Sequence, residues 1–121
     1  MSGPYEELER VFHEPNRLAI VTELSGHISG VVFSELRDSC GLTDGNLSRH
    51  LAALEKAGVV KIEKSFVGAK PRTTIFLTEA GRESFLDYLA ALAEVLKSAA
   101  ARAKKPKAAA GVLARRRPKP A

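Results

Sequence analysis

The sequence predicts a mainly α fold with one small β-hairpin and a long C-terminal helix. Three observations carry that prediction. Leu47, Leu51 and Leu54 recur at i, i+4 and i+7 within residues 43–57, which at about 100° per residue places them on one narrow helical face. Beyond Gly58 the apolar period falls from 3.6 to 2, and residues 59–66 and 73–77 are rich in β-branched and aromatic side chains. From Thr78 the helical period returns and runs, rich in leucine and alanine, to about Ala101.

Taken in order, Pro4 suits the first helical position, and Tyr5, Leu8 and Phe12 share one face of a short first helix. Glu14-Pro15 breaks it, because the residue before proline is pushed out of the helical region; Pro15 then opens a second helix with Leu18, Ile20, Val21 and Leu24 on its buried side and Gly26 at its end. Val31-Val32 is a short strand, and Ser34 is the N-cap candidate of a third helix whose inner face is Phe33, Leu36 and Cys40. Gly41-Leu42-Thr43 joins this helix to the next, with Thr43 as N-cap, Asp44 suited to the positive helix start and Gly58 to the stop. Two short helices on a tight, glycine-containing turn form a helix-turn-helix. The hairpin that follows has a basic tip, residues 68–72, with Pro71 where a proline is tolerated, near the end of a ladder. Thr78 caps the last helix, whose apolar seam of Phe85, Leu89, Leu92 and Leu96 is broader than one small domain needs and is expected to pair with a second copy of the chain.

Charge is unevenly spread. Residues 1–100 carry eleven Lys/Arg against fourteen Asp/Glu, net −3, whereas residues 101–121 carry eight Lys/Arg and no acid; together they give the +5 of the whole chain. The basic character therefore belongs to the tail, and attraction of the body to nucleic acid must rest on locally placed cations. Two units are expected: a domain at 4–98 that includes the last helix, and a basic Ala/Lys/Arg/Pro tail at 99–121, too polar to bury a core. No run of 18 apolar residues is present, and residues 1–10 are acidic without an apolar stretch, so neither a membrane span nor a secretory signal is expected. The single cysteine, Cys40, excludes an internal disulfide and agrees with a reducing, cytoplasmic setting.

Helix, helix, strand, helix, turn, helix, basic hairpin, helix is the order of a winged helix-turn-helix. Residues 15–20 (Pro-Asn-Arg-Leu-Ala-Ile), 33–36 (Phe-Ser-Glu-Leu), 47–60 (Leu-Ser-Arg-His-Leu-Ala-Ala-Leu-Glu-Lys-Ala-Gly-Val-Val), 70–73 (Lys-Pro-Arg-Thr) and 77–81 (Leu-Thr-Glu-Ala-Gly) together resemble the small winged-helix regulators of the MarR/ArsR type, most nearly the compact winged helix DNA-binding domain regulators of bacteria and archaea. The resemblance covers roughly residues 4–98. It implies a homodimeric, double-stranded-DNA-binding transcription factor, usually a repressor, with 43–57 as recognition helix; the basic tail is not part of the pattern.

The residues themselves support a site. Arg49 has the side chain for a two-pronged contact to guanine, and Asn46 for adenine or a phosphate. Ser48 and Thr43 suit phosphate contacts, which position without specifying. Lys70 and Arg72 suit the minor groove or its phosphates. The competing readings are a solvated Arg49 bridging Glu55 or Asp44, an Arg17 paired with Glu14 or Glu35, a His50 packed in the core, and an ordinary solubilising hairpin. Cys40 reads as core, and His13, His27 and His50 lack ligand spacing, so no metal site and no cofactor are expected. No nucleophile–base pair, P-loop or dinucleotide motif argues for an enzyme. A winged-helix protein-interaction module is the alternative, favoured if acids interrupt the surface made by Asn46, Ser48, Arg49, Lys70 and Arg72. A small-molecule effector, if the chain takes one, would have to lodge between the paired helices and the winged core. A DNA-binding protein of this kind is expected in the cytoplasm, on the nucleoid.

Overall fold

A computed structural model describes residues 10–104. The first helix expected from Pro4 lies largely outside the described residues; its last turn, residues 10–12, is helical and ends ahead of Pro15. Helix α1 (Pro15–Ser25) starts at that proline, and Glu14, in extended conformation, is its N-cap, accepting hydrogen bonds from the Asn16 and Arg17 amides at 3.0 and 3.3 Å. Strand β1 (Val31–Val32) leads straight into helix α2 (Phe33–Cys40). Ser34 is not the cap: the cap is Val32, two residues earlier, because Val31 and Val32 are held in the sheet and the helix starts where pairing stops.

Gly41 closes α2 in the left-handed conformation, with φ of 65°, and the Gly41 and Leu42 amides donate back to the carbonyls of Asp38 and Arg37. Helix α3 (Asp44–Lys56) follows, capped as expected by Thr43, whose hydroxyl oxygen accepts from the Asn46 amide at 3.2 Å. Strands β2 (Val60–Val67) and β3 (Lys70–Leu77) form the hairpin, and β1 adds to β3, giving an antiparallel sheet in the order β1-β3-β2 rather than a hairpin alone. Helix α4 (Glu79–Lys104) opens with the Gly81 amide donating to the Thr78 hydroxyl at 2.8 Å. It runs past Ala101, because residues 98–104 are mostly alanine with basic partners and favour the helix. The rest of the basic tail lies outside the described residues.

The chain divides into two compact units, Met1–Tyr88 and Leu89–Ala121. The first holds the core. Ile20, Val21 and Leu24 from α1, Leu36 from α2, Leu47 and Leu54 from α3, and Ile75 from β3 are fully buried. Phe12 completes it, with the rings of Phe85 and Tyr88 tilted against it at 5.5 and 5.4 Å. Phe85 is therefore only 4% exposed inside its own protomer, which removes it from the expected pairing seam: the aromatic pocket made by Phe12 takes it first. Along the second unit, Leu89, Val95 and Leu96 are exposed and Leu92 is partly covered.

Candidate nucleic-acid interface

Helix α3 buries Leu47, His50, Leu51 and Leu54 and leaves Gly45, Asn46, Ser48, Arg49 and Ala52 exposed. The leucine spine thus fixes which edge faces solvent. At the front of the helix two arginines are sorted by their partners. Arg37 of α2 donates to Asp38 at 2.9 Å and to Asp44 at 2.8 Å, tying α2 to the first turn of α3; the two carboxylates hold its guanidinium charged well above the ordinary range. With Asp44 engaged, Arg49 does not bridge it. The Arg49 guanidinium instead donates to the Asn46 side-chain oxygen at 3.2 Å, one turn away. That bond aims both side chains outward together and leaves the Asn46 amide hydrogens and the remaining Arg49 donors available.

His50 sits on the inner side. It is 6% exposed, its Nδ1 lies 3.3 Å from the Glu14 carboxylate and 3.5 Å from the Arg17 Nε, and its Nε2 has no hydrogen-bond partner among the described residues. Arg17 and Glu14 approach at 3.9 Å. His50 is packed, and Arg17 faces Glu14 and His50 rather than Glu35. This cluster fastens α3 to the start of α1. Burial pushes the Glu14 carboxyl up, but the Asn16 and Arg17 amides and the charges of His50 and Arg17 outweigh it, and the net shift is down. A lowered value means that Glu14 stabilises the fold above its unfolded pKa, about 4.3, and that this stabilisation is lost as pH falls through the lower, folded value. Glu14→Gln is expected to cost about 1 kcal/mol at pH 7, the usual worth of an N-cap. Its deficit relative to the parent should shrink as pH falls below the unfolded pKa and through the lower, folded one, read from urea unfolding at several pH values. A constant deficit across pH would mean that the Glu14 charge is irrelevant.

The wing lies beside α3. Ser48, Leu51, Ala52 and Glu55 of the helix face Ile62, Lys64 and Thr73 of the hairpin across a cleft of ≈ 360 Å³ that Phe33 also lines. Ser48 and Lys64 therefore open onto the same surface. Lys70 and Arg72 are exposed at the tip, but not in the turn: β3 begins at Lys70, and the connection is Gly68-Ala69 alone. Lys64, Lys70 and Arg72 make no ion pair among the described residues, whereas Lys61, at the root, pairs with Glu63 at 2.9 Å and lies over the Phe76 ring. One acid, Glu55, enters the cleft between helix and wing. Lys64 and Phe66 were not singled out in the sequence, where alternation marks them as ordinary strand residues; the register, which sets Lys64 beside the cleft and Phe66 one step beyond it, was the missing information.

Among the described residues no cluster of His, Cys, Asp and Glu is placed to hold a metal ion. The Cys40 thiol is pushed up, first by burial and then by the Glu23 carboxylate, and stays protonated near neutrality.

A family model for a winged helix DNA-binding domain matches residues 16–96. An uncharacterised protein of Methanocaldococcus jannaschii is 33% identical over 89 residues, 74% of this chain and 96% of its own. Among solved structures, a transcriptional regulator homologue from Pyrococcus horikoshii is similar at a TM-score of 0.70 and 30% identity, covering 78% of this chain and 95% of that one. A regulator of the MarR family from Enterococcus faecalis shares the fold, with a TM-score of 0.65 at 23% identity over 81% of this chain and 86% of that one.

Proposed function

The chain belongs to the winged helix DNA-binding domain family, and on that premise we propose that it is a dimeric transcriptional regulator, acting as a repressor on a two-fold-related operator. It is a DNA-binding protein of the regulator class and not an enzyme. The winged unit at 4–98 does the reading, with α3 in the major groove, where Arg49 and Asn46 meet base edges and Ser48 and Thr43 meet phosphates. Lys70 and Arg72 hold the wing on the adjacent minor groove or backbone. Two α4 helices pair through Leu89, Leu92 and Leu96 and space the half-sites by about one turn of DNA, roughly 34 Å. The basic tail, 99–121, adds attraction to the backbone without sequence preference.

The observation that carries this reading is the exposed Asn46–Arg49 pair on a helix anchored by four buried residues, opening beside three cations that pair with no acid among the described residues. No described helix is long and apolar enough to cross a membrane. The test is selection of bound duplexes from a random pool by the full chain, together with its sedimentation. An enriched motif repeated with two-fold symmetry, and a particle of twice the 13.0 kDa chain mass, are expected. Binding with no enriched motif would favour the interaction-module reading, which the Glu55 carboxylate in the cleft and the acidic body support.

A further inference from the structure

The wing ends in an apolar residue with no partner among the described residues. Phe66 is 72% exposed and its neighbour Val67 52%, at the far end of a strand whose root is buried. The register explains why. Val60, Ile62, Lys64 and Phe66 alternate onto one face of β2, opposite Leu77, Ile75, Thr73 and Pro71. The body covers this face as far as Ile62 and Thr73, which line the cleft beside α3. Lys64, opposite Thr73, still lines that cleft, and Phe66 and Pro71 continue the same face two residues further out, about 7 Å at the rise of a strand and about 13 Å beyond Ile62. On the opposite face lie Lys70 and Arg72, and residues 64–72 contain three cations and no acid.

We propose that Phe66, backed by Pro71, is an apolar wedge that the wing sets into the DNA minor groove. It would press on the sugar walls and partly open one base step. This deepens the DNA reading above and rests on it. The occupant follows from the combination. With α3 in the major groove, a hairpin whose tip stands about 13 Å beyond Ile62 carries Phe66 over one phosphate strand toward the neighbouring minor groove. The tip's cations match the phosphates on either side, and the ring finds the largely apolar sugar walls there. Two exposed apolar residues are far too little for a stable protein–protein contact, which needs on the order of 1,000 Å². A wedge that unstacks a step is favoured by pyrimidine–purine steps, which deform easily, so the wing selects sequence through DNA flexibility and not through base hydrogen bonds.

The test compares the full chain with Phe66→Ala and with the pair Lys70→Gln, Arg72→Gln. Selected pools, salt dependence, DNA bending by end-to-end fluorescence transfer, and 2-aminopurine fluorescence at the wing-facing step are measured. Because Phe66 is exposed, its variant is expected to unfold at the same temperature as the parent. Phe66→Ala should lose about tenfold in affinity with an unchanged salt slope. It should also lose the preference for a TA or CA/TG step, the bend and the 2-aminopurine signal, while the motif read by α3 survives. The charge pair should instead lower the salt slope by about two and keep the step preference. If the motif persists with unchanged affinity, bend and step preference in Phe66→Ala, the wedge is wrong and the DNA reading stands. If Phe66→Ala lowers the sedimenting mass without DNA, the ring belongs to a protein contact and the wedge is likewise wrong. Absence of any motif with the parent protein overturns the DNA reading and the wedge together.

Discussion

Replacing Arg49 by alanine should weaken binding to the selected operator by about 1–3 kcal/mol, a factor of roughly 5–150, and should relax the sequence requirement at one base position of each half-site. The expectation rests on where the side chain is held. Arg49 is exposed, and its bond is to Asn46 at 3.2 Å rather than to an acid, so its charge reaches the surface unneutralised. Asn46 in turn keeps its amide hydrogens free. The two residues therefore form one reading unit, and their effects should not add: a double-mutant cycle with Asn46→Ala should show coupling of at least about 0.5 kcal/mol. Lysine at position 49 should not restore specificity, because it offers a point charge where a planar fork is required. Neither substitution should change thermal stability, since both side chains point away from the leucine spine. Uniform weakening on every sequence, with a salt slope reduced by about one, would make Arg49 a phosphate contact and move the reading to other residues.

That prediction was available from the sequence because the relevant information is local. The spacing of Leu47, Leu51 and Leu54 fixes the buried side of α3, and with it the exposed edge, whatever the rest of the chain does. Thr43 and Thr78 were equally legible, since a cap acts on amides two or three residues away. What the sequence hid depends on partners far along the chain. Phe85 has the spacing of a pairing seam, yet the Phe12 ring, more than seventy residues earlier, claims it. Ser34 has the chemistry of a cap, yet β3 holds Val31 and Val32 and sets the helix start. Glu14, ordinarily a poor cap, is supported by His50 thirty-six residues on. Phe66 alternates like a core residue, and only the register shows that no described element covers it.

Gly81→Ala should be among the most destabilising small changes in the winged unit, because it strikes the joint that positions the wing. A Cβ at Gly81 would lie 2.8 Å from the Val59 Cα and closer still to its carbonyl oxygen, both of them backbone. That carbonyl has little freedom to move. It accepts from the Thr78 amide at 2.9 Å, lies 3.1 Å from the Thr78 hydroxyl, and belongs to the residue whose own amide closes the end of α3 on Leu54. The same hydroxyl also lies 2.7 Å from the Gly58 carbonyl oxygen and caps Gly81 itself, so relief at one bond breaks another. Overpacking against fixed backbone costs about 3 kcal/mol, offset by about 1 kcal/mol of helix propensity gained from alanine. A net loss near 2 kcal/mol lowers the unfolding temperature by about 10 °C in a domain of this size. Gly45 supplies the contrast. A Cβ there meets nothing, in a helix of the same fold, so Gly45→Ala should raise stability by up to about 1 kcal/mol. Yet Gly45 shares the exposed edge with Asn46 and Arg49, where the added methyl stands between α3 and the base edges. Stability up and operator affinity down for Gly45→Ala, against stability down and motif retained for Gly81→Ala, separates the reading edge from the joint behind it. Thermal unfolding by circular dichroism and binding to the selected duplex measure both. Equal stability of Gly81→Ala and the parent would show that Val59 yields, and that the wing's root is looser than its hydrogen bonds require.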